Sequence, residues 1–178
     1  MRNILIASLL ILMAAISRLL PHPPNVVPIA AMALAGGVYL DRRWGMAIPL
    51  LAMLLSDAII GFHGLMLYVY GSFAVMALIG RWLKQHRTPA FVAGGSLFSS
   101  VIFFAVTNFG VWLSDSGAFY PKTVAGLIEC YVAAIPFFRN TILGDLAYVA
   151  LLFGAFETAR RYLGAFQETE KGSVPVKN

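Results

Sequence analysis

The sequence predicts an all-α integral membrane protein, a bundle of six transmembrane helices with both termini in the cytoplasm. The first observation is composition: 60% of the 178 residues are hydrophobic and only 12% are charged, whereas soluble domains carry about 25% charged residues. The second is that long apolar segments recur along the chain, and the third is that basic residues collect in every other connection between them. The length indicates one compact membrane domain over residues 1–163.

Six apolar segments are predicted as the transmembrane helices. They cover residues 4–20, 26–40, 44–62, 64–83, 90–113 and 140–163. Most approach the ~20 residues that an upright helix needs to cross the hydrocarbon core. The second segment is shorter and rich in alanine and glycine, which predicts close packing against other helices.

The connections alternate in charge, and this alternation predicts the topology. Ten of the 13 basic residues fall on one side of the predicted membrane: Arg2, Arg42, Arg43, Arg81, Lys84, Arg87, Arg160, Arg161, Lys171 and Lys177. The other side holds Arg18, Lys122 and Arg139. Because basic loops are retained in the cytoplasm, both termini are predicted to be cytoplasmic.

Two stretches lie outside the six predicted segments. Residues 122–138 are apolar, but Glu129 and Pro136 interrupt them, and a seventh span would move Arg160 to the outer side. We therefore expect an amphipathic or re-entrant segment on the outer side. Residues 164–178 are polar and are expected to form a disordered cytoplasmic tail.

The polar residues of the predicted membrane domain concentrate in one layer near its outer face. Ionisable groups at several depths would indicate a proton or ion pathway. One polar layer between apolar walls instead predicts a small-molecule pocket that opens to the outside. The candidate binding residues in this layer are His22, Asn25, Asp57, Tyr70, Asn108, Trp112, Arg139, Asn140 and Asp145.

Arg139 is the residue of this layer with two open interpretations. It begins the sixth predicted helix, where free backbone N–H groups favour an anion, and its guanidinium suits a carboxylate or phosphate. Alternatively, it forms an ion pair with Asp57 or Asp145 that holds two helices together.

Several function classes are disfavoured. No nucleophile motif, HExxH motif or pair of catalytic acids is present, so we predict that the protein is not an enzyme. No Walker A motif is present, so ATP hydrolysis would need another protein. The single cysteine, Cys130, excludes an intramolecular disulfide. We predict no metal site, no cofactor and no nucleic-acid partner.

Several motifs together resemble a family of small bacterial transport proteins: LLPHPPNVVPIAAMALAGGVYL, WGMAIPLLAMLLSDAIIGFH, TNFGVWL and AIPFFRNTILGDL. That family is similar to the substrate-binding S components of energy-coupling factor (ECF) vitamin transporters. The resemblance implies a six-helix S-component fold in the bacterial cytoplasmic (inner) membrane. It also implies capture of a vitamin or related small nutrient, and work with a coupling transmembrane subunit and ATPases.

Cobalamin-type relatives are nearest in pattern, and the resemblance matches His22, Asp57, Tyr70 and Arg139 to their binding positions. Two features depart from the pattern of these relatives. Cys130 lies later in the chain than their cobalt-binding cysteine would, and the first segment lacks the AxxxA pair that is typical where S components dock the coupling subunit. The alternative hypothesis is a structural or accessory membrane protein with a buried Arg–Asp ion pair and no transport substrate.

Overall fold

The computed structural model describes residues 2–41 and 43–172, with side chains for 4–41 and 43–162. The described residues form six α-helices and no strand. The helices are α1 (Arg2–Ser17), α2 (Ile29–Tyr39), α3 (Trp44–Ile60), α4 (Met66–Leu83), α5 (Pro89–Ser114) and α6 (Val124–Gly172). The predicted all-α class is confirmed.

The first five helices lie within three residues of the predicted boundaries at each end. The sixth does not, because α6 begins at Val124 and continues through Pro136. Residues 124–138, predicted as an amphipathic or re-entrant segment, thus form the first part of α6, and their position relative to the membrane stays a prediction. Proline interrupts one backbone hydrogen bond without ending a helix whose neighbours still support it.

The end of α6 also differs from its prediction. The helix reaches Gly172, so residues 164–172 are helical rather than part of a disordered tail. Residues 173–178, the rest of the predicted tail, lie outside the described residues.

Helix α2 is the centre of the bundle. It packs against all five other helices, and every residue from Ile29 to Val38 is buried. A Cβ atom added at Gly37 would lie 2.5 Å from the carbonyl oxygen of Ala77, and one added at Gly80 would lie 2.6 Å from that of Leu34. The small residues of α2 thus allow its backbone to approach α4, as the sequence predicted.

Three of the described helices are long and apolar enough to cross a membrane: α4, α5 and the Val124–Tyr162 part of α6. Helices α1, α2 and α3 are apolar but shorter. Many large apolar side chains are exposed on the outside of the bundle, Leu67 and Ile59 among them. These features are those of a membrane protein, because exposed apolar surface of this kind is unfavourable in water.

The two ends of the bundle differ in their side chains. Helices α1 and α3 end and α4 begins near Asp57, and we call this the Asp57 end. At the opposite end, α4 finishes beside Lys84, which lines a cavity with Ile4 and Arg160 from the beginning of α1 and the later part of α6. We call this the Lys84 end.

Candidate functional site

A buried ion pair joins α1 to α3 at the Asp57 end. Arg18 Nη2 lies 2.7 Å from Asp57 Oδ1, and the two side chains are 10% and 3% exposed. Arg18 Nη1 donates to Ser56 Oγ, and the Tyr70 hydroxyl donates to Asp57 Oδ2 at 2.8 Å. The carboxylate of Asp57 therefore has a hydrogen-bond donor on each oxygen, and its charge is balanced.

The sequence places this pair by ending two helices at the same level. Arg18 follows the last residue of α1, and Asp57 lies in the last turn of α3. The backbone N–H of Gly61 donates to the carbonyl of Asp57 at 2.8 Å. Gly61 has φ 113°, a conformation that L residues rarely adopt, and it ends the helix.

A second buried carboxylate, Asp145, lies on α6 and is 4% exposed. Ser100 on α5 donates its hydroxyl proton to Asp145 Oδ2 at 2.6 Å. Among the described side chains, Asp145 forms no ion pair. Asp145 therefore lacks the charged partner that Asp57 has.

Asp145 lines a cavity of about 240 Å³ at the Asp57 end. Its walls combine apolar side chains of the helices with polar groups. The polar lining groups are Arg18, His22, Asn25, His63, Thr141 and Asp145. Apolar walls with a few converging polar groups are typical of small-molecule sites.

A neighbouring cavity of about 370 Å³ shares Asn25, Val69, Phe103 and Thr141 with the first. Asn108 also lines it, and its amide nitrogen donates to the carbonyl of Phe104 at 2.8 Å. The two cavities therefore meet around Asn25 and Thr141 and form one region of the molecule.

The α1–α2 loop forms the outer edge of this region. Asn25 has φ 63°, which asparagine tolerates better than most residues. The amide of Asn140 on α6 donates to the carbonyl of Pro24 at 3.1 Å. Asn140 thus holds the loop that presents Asn25 and His22 to the first cavity.

Trp112 lies away from both cavities, at the loop between α5 and α6. Its indole N–H donates to the carbonyl of Pro121 at 3.0 Å, and the ammonium of Lys122 lies 5.2 Å from its ring centroid. The Lys122 ammonium also donates to the backbone carbonyl of Trp112. These contacts give Trp112 a role in holding the loop.

The same loop contains Asp115. Its Oδ2 accepts from the backbone N–H of Tyr120 at 2.8 Å and of Phe119 at 3.1 Å. The Tyr120 N–H is the largest of the causes that hold the pKa of Asp115 below its ordinary value, and nearby Lys122 adds to them. Asp115 therefore stabilises this turn as a carboxylate.

Both interpretations of Arg139 need correction. The residue lies inside α6, fifteen positions after Val124, so no free helix N-terminus surrounds it. Its side chain is exposed and lines neither cavity of the Asp57 end. The predicted ion pair of Arg139 with Asp57 or Asp145 is wrong, because Asp57 pairs with Arg18 and Asp145 bonds to Ser100.

The structure brings some predicted residues together and separates others. His22, Asn25, Asn108 and Asp145 line the joined cavities, and Asn140 holds their loop. Asp57 bonds to Arg18 and Tyr70, and neither Asp57 nor Tyr70 lines the joined cavities. Trp112 and Arg139 lie outside. These placements do not test ligand binding, which stays a prediction.

Sequence reasoning missed Arg18 as a site residue. It was counted only as a charge of the outer side, although it ends the first apolar segment in the same layer as Asp57. An intramembrane acid needs a partner, and Arg18 was one of three basic residues predicted on that side. Thr141 shares a helix face with Asp145, at i and i+4, and that spacing was the available signal.

The site offers both donors and acceptors to a ligand. Asp145 Oδ1 accepts no hydrogen bond from the described residues, and the Nε of Arg18 has no hydrogen-bond partner among them. Within the described part of the chain, no three histidine, cysteine, aspartate or glutamate side chains come together as metal ligands would. The arrangement suits non-covalent binding of a small polar molecule.

The fold and the cavity together define a helical membrane-type protein with a polar pocket at one end of its bundle. The chain belongs to a family of unknown function, DUF6580, which matches residues 1–168. No curated protein and no solved structure matched the chain.

Proposed function

We propose that the protein captures a small polar nutrient at the Asp57 end, as the substrate-binding subunit of an uptake system. The observation that carries the proposal is Asp145, a buried carboxylate that forms no ion pair with the described residues and lines a cavity together with Arg18, Asn25 and Thr141. An uncompensated buried charge is costly unless a ligand uses it.

The size of the cavities favours a compact molecule. The volume of about 240 Å³ lies below the range of about 300–1,000 Å³ for small-molecule sites, and that of about 370 Å³ lies near its lower limit. A vitamin of one or two rings suits this space better than the corrin ring of cobalamin. The Asp145 carboxylate favours a ligand that carries an amine or another hydrogen-bond donor.

The proposed uptake role requires a defined membrane topology and partner subunits. We propose six membrane-crossing helices, with the basic Lys84 end in the bacterial cytoplasm and the Asp57 end outside. Since the chain has no Walker A motif, energy would come from a coupling membrane subunit with ATPases, as in the vitamin transporters that the sequence resembles. Reporter fusions after Gln85 and after Asn178 test the topology, and an outside signal from either contradicts it.

The experiment compares small molecules that co-purify with the full-length protein and with two variants. Mass spectrometry should find a compound on the wild type and on Asp41→Asn, which removes a carboxylate at the Lys84 end. Asp145→Asn should retain at least tenfold less, because a hydrogen bond to a charged group contributes about 1.5–3 kcal/mol. Equal retention by Asp145→Asn, or no retained compound on the wild type, contradicts the proposal.

The buried Arg18–Asp57 pair favours a second candidate, a structural or accessory membrane protein without a substrate. An Arg–Asp pair of this kind was expected for that alternative, although with Arg139 in place of Arg18. The two candidates differ in the retained compound: the structural protein would fold with the same pair and carry none.

A further inference from the structure

The Lys84 end contains a cavity of about 350 Å³ that no function discussed above uses. Its floor is apolar, formed by Val38 and Phe156, which are 0% and 2% exposed. Tyr39 forms a wall, and its ring stacks on that of Phe156 with centroids 3.6 Å apart. Val38 and Phe156 close the cavity from below, and the half-buried side chains of Ile4 and Tyr39 provide its accessible apolar surface.

The rim of this cavity is positively charged. Lys84, Arg87 and Arg160 come from three places, the end of α4, the α4–α5 loop and α6. Asp41 is the acidic residue in the lining. The lining carries three positive charges and one negative charge, and Glu157, which lies beside Arg160 and Tyr39 without lining the cavity, adds a second negative charge. The excess of one positive charge favours an anion.

The cations of the rim are weakly engaged by other described residues. Arg87 uses Nε to donate to the carbonyl of Lys84 at 2.9 Å, and its guanidinium carbon lies 5.9 Å from the centroid of the Tyr39 ring. Arg160 lies 3.9 Å from Glu157, and both side chains are largely exposed. Exposed ion pairs of this kind contribute little to stability, so the guanidinium groups remain available to an anion.

The cavity lies where a membrane surface is expected. Trp44 and Trp82 are exposed at this end of the bundle, at 51% and 53%. Tryptophan favours the boundary between hydrocarbon and headgroups. Lys84 follows Trp82 by two residues, so the basic rim lies at the level of lipid phosphates.

We propose that this cavity binds the phosphate of an anionic phospholipid. The phosphate lies between Lys84, Arg87 and Arg160, and the glycerol and first acyl carbons lie against Tyr39 and Ile4. Basic pockets between membrane helices bind anionic headgroups in this way. The accessible apolar surface of Ile4 and Tyr39 favours a lipid over free phosphate, since free phosphate would bury none of it.

Native mass spectrometry of the full-length protein in detergent tests the site, with phosphatidylglycerol and phosphatidylcholine of equal chain length as probes. We expect phosphatidylglycerol to bind at concentrations at which phosphatidylcholine does not bind. Arg87→Gln and Arg160→Gln should each weaken binding about fivefold, the effect of one basic residue near anionic lipid. Arg161→Gln is the matched control, because it removes the same charge from the next position of α6 without lining the cavity.

Three results would overturn the proposal. If Arg161→Gln weakens binding as much as Arg160→Gln, the lipid is attracted by surface charge alone. If phosphatidylcholine binds as well as phosphatidylglycerol, the rim does not recognise the anionic headgroup. If millimolar inorganic phosphate displaces phosphatidylglycerol from the wild type, the site is one for free phosphate.

Discussion

Asp57 and Asp145 are both buried carboxylates of apolar helices, but their surroundings differ. Asp57 is 2% exposed and receives donors from Arg18 and Tyr70, one of them charged. Asp145 is 4% exposed and receives one hydroxyl donor, from Ser100. The two carboxyl groups are therefore almost equally buried, but Asp57 has a charged partner and Asp145 has none among the described residues.

The different surroundings of Asp57 and Asp145 favour different roles, a structural one for Asp57 and ligand binding for Asp145. Asp57 joins α1, α3 and α4 through its partners, and it does not line the cavities of the Asp57 end. Asp145 lines the first cavity directly. We therefore assign Asp57 to the fold, and the free oxygen of Asp145 in the cavity is the basis of the proposed ligand site.

The largest expected effect comes from removing Arg18, the cation that pairs with Asp57. Arg18→Gln should lower the free energy of unfolding by about 3–5 kcal/mol, because it leaves a buried carboxylate without its charge partner. Unfolding in mixed detergent micelles, followed by tryptophan fluorescence, measures this change.

Arg139→Gln is the matched control for that measurement. The same charge is removed from the same end of the molecule, but from an exposed side chain. We expect a change within about 0.5 kcal/mol, as for most surface substitutions. Equal losses for the two variants would contradict the assignment of Arg18, rather than Arg139, as the partner of Asp57.

A smaller effect is expected at Asp145. Ser100→Ala removes its hydroxyl donor and should cost about 1.5–3 kcal/mol, the range for one hydrogen bond to a charged group. Ser99→Ala is the neighbouring control, because the buried Ser99 hydroxyl has no hydrogen-bond partner among the described residues. The same unfolding assay should find no loss for Ser99→Ala. A loss above about 3 kcal/mol for Ser100→Ala would contradict the view that Asp145 is weakly held.

Hydrophobic segments made the helices predictable, since apolar runs and turn residues are local features. The end of α3 at Gly61 and the close approach of α2 to α4 follow from residues that the sequence displays directly. The start of α6 was not predictable in this way. Glu129 and Pro136 argued for a break, but the helix continues through both.

It was harder to predict which polar side chains pair with each other than to predict where each one lies along the bundle. Depth along the chain placed Asp57, Asn108 and Asp145 near one end, yet depth does not say which side chains meet across helices. Arg139 was predicted as the partner of Asp57, although Arg18 lies at a similar depth. The packing of α1 against α3 makes Arg18 the partner. Rotation of a helix about its axis, which sets such contacts, depends on the whole bundle.

The smallest effect is expected at Asp115, a surface carboxylate that extends the comparison to a third environment. Its folded pKa lies below its unfolded value, mainly because the backbone N–H of Tyr120 donates to it. Its contribution is therefore present above the unfolded pKa, about 4, and is lost as the pH falls through the folded pKa.

Asp115→Ala should speed hydrogen exchange at the amides of Phe119 and Tyr120 while leaving the global unfolding midpoint unchanged. Acidification of the wild type below the folded pKa should weaken the same two hydrogen bonds, with intrinsic exchange rates taken into account at each pH. Asp41→Ala, which changes a surface carboxylate at the Lys84 end, should leave exchange in residues 115–121 unaltered. Unchanged exchange in Asp115→Ala would mean that the loop is held by the Trp112 and Lys122 contacts alone, because those are the other contacts that fix it to α5.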